Sequence, residues 1–231
     1  MLSGAIALAF FYAPKEADQG IIQKIFYVHV PLAIVALFGF VAGGVFAIKQ
    51  LRSGSREQDM RSYVAIHQAL VFAVGALITG AIWAKASWGH WWVWDEPVLV
   101  SFLIVFLLYC CYQPLRFSIE DPERQARYAS VFAIAAGAFV PINFMAVRLA
   151  TAHIHPRVLS KTGGDLPGEM RLTFLVAIAG VALLFVTLWK LELTAKSASM
   201  KLKRLRARLE AAEAGAGPQP PAATPEPVGT R

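Results

Sequence analysis

The segment 88–95, which reads WGHWWVWD, contains four of the six tryptophans in the chain, Trp88, Trp91, Trp92 and Trp94, and ends at Asp95. Tryptophan offers a broad apolar face and a single N–H donor, so a cluster this dense predicts a flat aromatic platform for a ligand. The alternative is an aromatic belt at the membrane boundary, which usually needs about one or two tryptophans per helix end. We interpret this segment, called the Trp motif below, as a ligand platform, with or without a second role as a belt.

Three histidines are candidates for binding a metal. His29 stands just before Pro31 at the start of an apolar run, and His153 and His155 lie in a later polar loop. A flat apolar macrocycle with an iron centre needs aromatic walls and one or two imidazoles along its axis. Histidines on two sides of the Trp motif therefore indicate a haem site. For any one of them, the alternative is an ordinary hydrogen-bonded residue at the membrane interface.

The composition indicates an integral membrane protein. Hydrophobic residues make up 57% of the chain and charged residues 16%, with a mean hydropathy of +0.52, whereas soluble domains are about 45–50% apolar and 25% charged. The net charge of +7 is not concentrated in any basic stretch interleaved with aromatic residues, so nucleic-acid binding is not expected. No C-x-x-C-H motif is present for covalent haem attachment. We predict that the adjacent Cys110 and Cys111 are buried apolar fillers.

Six apolar runs predict an all-α, polytopic bundle of about six transmembrane helices. These runs are residues 2–13, 28–48, 63–83, 97–112, 128–147 and 172–191. The first reaches only about 18 Å against a hydrocarbon core of about 30 Å. It is either a short, tilted span or the end of a span that starts upstream, and we favour the second. In the second run, Gly39, Gly43 and Gly44 predict a face for close helix packing.

The distribution of basic residues predicts the orientation. The linkers 49–62 and 113–127 and the chain from residue 190 onward contain 15 of the 22 Lys and Arg residues. The positive-inside rule therefore places both termini of a six-span chain in the cytoplasm. His29, the Trp motif and the loop 148–171 then all face outward and share one side of the membrane.

We divide the chain into a six-span membrane domain, residues 1–195, a basic cytoplasmic helix, residues 196–214, and a tail, residues 215–231. The helix has Leu202, Leu205 and Leu209 on one face, which suits either an anionic lipid surface or a partner helix. The tail is rich in Pro, Ala, Gly and Thr, so we expect it to be disordered.

The motifs resemble those of a known family. The Trp motif is similar to the WWD signature, W-G-x-W-W-x-W-D, of the haem-handling protein superfamily. The segment 27–31, YVHVP, resembles a segment of one of its members, the haem-handling protein C family of the cytochrome c maturation system. The resemblance extends from the first span to the sixth. It implies a protein of the bacterial inner membrane that binds b-type haem non-covalently at the outer face and performs no bond chemistry.

The resemblance also implies partners. The protein would work with an ABC transporter and a small single-span membrane protein. It would deliver haem to a membrane-anchored haem chaperone for cytochrome c maturation.

The resemblance assigns site residues as well. His29 corresponds to the first conserved histidine of the family, and the second lies in the loop before the last span. We assign His155 there because Pro156 follows it, with His153 as the alternative. The haem-binding set is then His29, Trp88, Trp91, Trp92, Trp94, Asp95 and His155, with His29 and His155 as the iron ligands. The tryptophans would pack on the macrocycle, while Asp95 would orient the loop or position the chaperone.

The chain departs from the family pattern after Asp95, where an Arg-Leu-Thr stretch is common and this chain has EPVL at 96–99. A haem propionate therefore lacks a basic partner there. The outward-facing candidates for that role are Lys85, Arg148 and Arg157. We expect His90, at a variable position of the motif, and His67, near the cytoplasmic end of the third span, to be non-ligands.

Two other classes of protein remain as alternatives. A b-type membrane electron-transfer protein would need histidines in the middle of facing helices, whereas the candidates here lie at span ends. A small-molecule permease would favour polar groups near the middle of the bilayer, where the sequence offers little beyond Asn143 and Thr79.

Overall fold

The computed structural model describes residues 1–149 and 166–215, and every regular element in that part of the chain is a helix. The elements are α1 (Leu2–Ala7) with a π-helical turn (Leu8–Tyr12), a 3-10 turn (Ile21–Ile25), α2 (Phe26–Ser53), α3 (Arg56–Trp88), α4 (Pro97–Cys110), α5 (Tyr112–Phe117), α6 (Pro122–Gly137), α7 (Phe139–Leu149) and α8 (Gly168–Gly215).

Five helical stretches are long and apolar enough to cross a membrane. They are Ile21–Ser53, Arg56–Trp88, Pro97–Phe117, Pro122–Met145 and Gly168–Ala212. The predicted first span is present as a shorter apolar helix, Leu2–Tyr12. The predicted all-α membrane bundle is therefore confirmed.

The connection between α2 and α3 is much shorter than the predicted linker 49–62, and that prediction was wrong. Only Gly54 and Ser55 join the two helices. Gly54 has a φ of +65°, the left-handed conformation that ends many helices, and its N–H bonds the carbonyl of Gln50 at 2.7 Å. Ser55 caps the next helix by accepting from the Gln58 N–H. Polar residues that we assigned to the linker instead extend both helices.

The predicted linker 113–127 is also largely helical, because it contains α5 and the start of α6. Arg116 in this segment is buried and forms a two-pronged ion pair with Asp59 of α3, with N–O distances of 2.7 and 2.6 Å. Its guanidinium also lies 5.0 Å from the ring centroid of Tyr63. The ion pair thus fixes α5 against α3.

The predicted small-residue face of α2 is confirmed at its two closest contacts. A Cβ added to Gly43 would lie 2.5 Å from Ile66 Cγ1, and one added to Gly39 would lie 2.7 Å from Phe185 Cζ. The Ser62 hydroxyl donates to the Gly43 carbonyl at 2.8 Å. At Gly44 the contact is looser, since an added Cβ would lie 3.9 Å from its nearest neighbour.

The expectation for the two cysteines was wrong. Cys110 is half-buried and Cys111 is exposed. Both lie at the end of α4, and the span to which α4 belongs has only 17% of its apolar window buried inside the protein. An apolar run that faces lipid has the same sequence pattern as one that faces a protein core, so the sequence did not distinguish them.

The chain divides into two compact units, Met1–Leu191 and Glu192–Arg231. In the second unit, Leu202, Leu205 and Leu209 are exposed on the last part of α8. The disorder predicted for the tail concerns residues that, from 216 onward, lie outside the described part of the chain.

Candidate functional site

The short connection between α2 and α3 places the start of α2 beside the end of α3. We call this the His29 end of the bundle. The Trp motif and the start of α4 come next in the chain after the end of α3. An apolar cluster supports this end, and Phe26 is near its centre, with ring centroids 5.2 Å from Phe174 of α8 and 6.3 Å from Trp83 of α3. The buried members are Ala5, Ala9, Ala13, Phe26, Tyr27, Phe174 and Ala177.

His29 is half-buried, and its ring is oriented by α3. Nδ1 lies 3.0 Å from the carbonyl oxygen of Ala76 and 3.2 Å from the hydroxyl of Thr79. A carbonyl oxygen only accepts, so Nδ1 carries a proton, and in the neutral imidazole the lone pair is then on Nε2. Thr79 donates its own hydroxyl proton to Gly75 O at 2.7 Å, which leaves its oxygen to accept from His29.

Gly80 and Trp83 complete the surroundings of the imidazole. A Cβ added to Gly80 would lie 2.7 Å from His29 Cε1, so the ring occupies the space that a larger residue would fill. Trp83 meets the ring edge-on, with centroids 5.8 Å apart, and its Nε1 donates to Gln19 Oε1 at 2.8 Å. Sequence reasoning did not assign Thr79, Gly80 or Trp83 to the site, because their role depends on contacts between α2 and α3.

The Trp motif begins inside a helix. Trp88 is the last residue of α3, and Gly89 follows with a φ of +77°, which ends the helix in a left-handed turn. The Gly89 N–H bonds the carbonyl of Lys85 at 3.1 Å, and Lys85 Nζ donates to Gly89 O at 2.8 Å. This double contact fixes the direction in which the chain leaves the helix.

The remaining tryptophans of the motif differ in exposure. Trp91 and Trp94 are 59% and 73% exposed. Trp92 is half-buried and meets Trp94 edge-on at 6.0 Å. Its Nε1 is buried and has no hydrogen-bond partner among the described residues. The loop therefore has two exposed aromatic side chains and one buried donor that no described residue satisfies.

The two consecutive acidic residues Asp95, which ends the motif, and Glu96, which follows it, have opposite environments. Asp95 is exposed, whereas Glu96 is completely buried and occupies the N-cap of α4, just before Pro97. Sequence reasoning named only Asp95. The signal that could have identified Glu96 is its place directly before Pro97, which begins an apolar helix.

Neither His90 nor His67 contributes to the surroundings of His29 described above. His90 is exposed in the Trp motif. His67 stacks on Tyr63, with ring centroids 6.2 Å apart, and stands thirteen residues before Gly80 on α3. At 1.5 Å per residue this is about 20 Å along the helix. The structure therefore does not bring His67 to the His29 end.

His153, His155 and Arg157 lie outside the described residues, as does the side chain of Arg148. The chain after this loop is described from Leu166 onward. Leu166 packs on the same apolar cluster as Trp83. Leu166 therefore lies at the His29 end.

Comparison with known proteins identifies the family of this chain. The family model described as heme exporter protein C matches residues 1–208. The heme exporter protein C of Rhodobacter capsulatus is 33% identical over 201 residues, which cover 86% of this chain and 83% of the relative. That of Paracoccus denitrificans is 31% identical over 200 residues, with the same coverage. A mitochondrial protein of Marchantia polymorpha, named for cytochrome c biosynthesis, is 30% identical over 175 residues, or 76% of this chain and 74% of that protein. The chain belongs to the heme exporter protein C family.

Proposed function

We propose that this protein holds b-type haem non-covalently at the outer face of the bacterial inner membrane and delivers it to a membrane-anchored haem chaperone for cytochrome c maturation. Haem is the cargo, and the protein performs no bond chemistry on it. The family name and the cytochrome c biosynthesis relative support this direction.

The orientation of His29 is the observation that carries the proposal. An imidazole that binds a metal through one nitrogen usually donates the other N–H to a carbonyl or carboxylate. His29 donates its Nδ1–H to Ala76 O, so in the neutral imidazole Nε2 is the nitrogen that can bind a metal. Haem iron accepts such a lone pair as an axial ligand. His155 would supply the opposite axial nitrogen, with His153 as the alternative.

The Trp motif would hold the macrocycle and its polar edge. Trp91 and Trp94 present apolar faces, while the unsatisfied Trp92 Nε1–H suits an acceptor such as a haem propionate oxygen. A buried donor without a partner costs about 1–3 kcal/mol, which such an acceptor would recover. The ammonium of Lys85, in the last turn of α3, donates to Gly89 O and adds a positive charge where the chain leaves the helix. Because much of the motif is exposed, the haem stays within reach of the chaperone.

The surrounding assembly is part of the same proposal. Both termini lie in the cytoplasm and the His29 end faces outward, as the distribution of basic residues favours. An ABC transporter and a small single-span membrane protein would complete the exporter. The exposed Asp95 stands where it would help to position the chaperone.

The visible spectrum of the protein purified in detergent tests the proposal. We expect a Soret band that shifts or disappears in His29→Ala and in His155→Ala. His67→Ala is the matched control, since that ring lies about 20 Å away along α3, and its spectrum should match that of the wild type.

Four results would change the proposal; three would contradict it and one would correct the second ligand. Unaltered spectra in both ligand variants would exclude the histidine pair, while a loss confined to His153→Ala would move the second ligand. Absence of any Soret band would favour a permease. Reversible reduction of the haem by quinol would favour an electron-transfer protein.

A further inference from the structure

The second unit of the chain contains a narrow apolar stripe that the haem site does not use. Leu202, Leu205 and Leu209 are 49%, 55% and 63% exposed. They are three and four residues apart, and alanines continue this spacing before and after them. The full series is Ala195, Ala198, Leu202, Leu205, Leu209 and Ala212. This is the alternating three-and-four spacing of the a and d positions of a coiled coil.

The residues beside the stripe are strongly basic. From Lys201 to Arg208, five of eight residues are Lys or Arg and none is acidic. With Leu202 at position a, Lys201 and Arg208 occupy g positions and Arg206 an e position. In two-stranded coiled coils the e and g residues form ion pairs across the interface and thereby select the partner.

We propose that residues 195–212 form a two-stranded coiled coil with a helix of another protein that has an apolar seam and acidic flanking residues. A second copy of this chain is a poor partner, because it would bring two basic segments of the same sign together. The inference is independent of the haem site.

An anionic lipid surface would also attract the basic residues, but it fits the apolar face less well. Helices that lie in the membrane interface usually have a broad apolar face of Trp, Phe or Leu. Residues 192–212 contain no aromatic residue, and Arg206 borders the leucine stripe directly. A strict a and d stripe is the narrower pattern of a coiled-coil seam.

The test uses the full chain in nanodiscs of zwitterionic lipid and two synthetic four-heptad peptides. Both have Leu at a and d; one has Glu at e and g, and the other has Lys there. Fluorescence anisotropy should show binding of the Glu peptide and none of the Lys peptide. Leu205→Asp should weaken binding by about tenfold or more, because it places a carboxylate in the seam. Ala207→Asp adds the same charge at the outward f position and should change binding far less.

Each other outcome would overturn the proposal. Equal losses in Leu205→Asp and Ala207→Asp would mean attraction by charge alone, and no binding of the Glu peptide would exclude the seam. Without peptide, greater protection of the amides of residues 195–212 from hydrogen exchange in phosphatidylglycerol nanodiscs than in zwitterionic ones would identify lipid as the occupant. Self-association of the full chain that is lost in Leu205→Asp would identify a second copy. Since Leu205 is exposed, its substitution should leave the helix content unchanged by circular dichroism.

Discussion

At the scale of single residues, the absence of a side chain at Gly80 leaves the space that the His29 imidazole occupies. Gly80→Ala would place a Cβ 2.7 Å from His29 Cε1 and force the ring to move. We expect bound haem to fall at least tenfold, because changes to the groups that orient a metal ligand typically cost about 10–100-fold. Alanine favours a helix over glycine by about 1 kcal/mol, so the loss should not come from unfolding. The measurement is haem per purified chain.

Gly75→Ala is the control for this change. It lies on the same helix, but its added Cβ would meet only the two side-chain methyls of Leu32, at 3.3 and 3.9 Å, which can shift. Haem content should stay close to that of the wild type. Wild-type haem content in Gly80→Ala would show that the ring position does not matter for binding.

Replacing tryptophans of the motif should separate haem binding from haem delivery. The iron bonds would come from imidazole, whereas the Trp indole has no lone pair to offer a metal. Trp92→Ala should therefore keep the wild-type form of the Soret band. It should weaken haem binding, because the lost aromatic contact is worth about 0.5–1.5 kcal/mol in addition to the area that the ring buries. We expect the same cells to contain little holo-cytochrome c, which is measured by haem staining. A wild-type amount of holo-cytochrome c in a variant with all four motif tryptophans replaced would mean that the motif serves only as an aromatic belt at the membrane boundary.

Residue types predicted part of the site, and contacts account for the rest. The density of the Trp motif and the position of His29 beside Pro31 are readable in the sequence. The hydrogen bonds of His29 join residues 47 and 50 positions apart, so Ala76 and Thr79 had no local pattern that marked them. The same holds for Gly80, whose role is to leave space.

At the scale of helices, hydropathy predicted the spans but not their ends. Helix ends depend on capping and on backbone conformation, which a hydropathy pattern does not report. Gly54 and Ser55 show this, since two residues replace a predicted linker of fourteen. Arg116 shows a second limit: it reads as a surface charge in sequence, but its partner Asp59 lies 57 positions away.

The Asp59–Arg116 pair should be a main source of stability at the end of the bundle opposite His29. Asp59→Asn leaves the buried guanidinium without its counter-charge, which typically costs about 3–5 kcal/mol. We expect a clearly lower thermal unfolding midpoint in detergent. Glu57→Gln breaks the exposed pair with Arg61 and should cost about 1 kcal/mol or less. Equal midpoints for the two variants would mean that the buried pair contributes no more than the exposed one.

At the scale of the whole chain, the structure shows which basic residues are buried and should be left out of the count that predicts the orientation. Arg116 is buried in its ion pair, and Lys24, on the side predicted to face outward, is buried against the carbonyls of Ala13 and Pro14. Removing one basic residue from each side leaves 14 against 6 of the 22 in the chain. The asymmetry therefore persists, and it favours an outward-facing His29 end.

Thiol labelling of intact cells tests this orientation. The starting protein carries Cys110→Ala and Cys111→Ala, because Cys111 is exposed and would react. His90→Cys, in the exposed part of the Trp motif, should react with a membrane-impermeant reagent added outside, and so should Ser160→Cys. Ser53→Cys, at the exposed end of α2, should react only after the membrane is opened. Holo-cytochrome c in each strain confirms that the labelled protein is active. Labelling of Ser53→Cys from outside would invert the orientation and place the haem site in the cytoplasm, out of reach of an outward-facing chaperone.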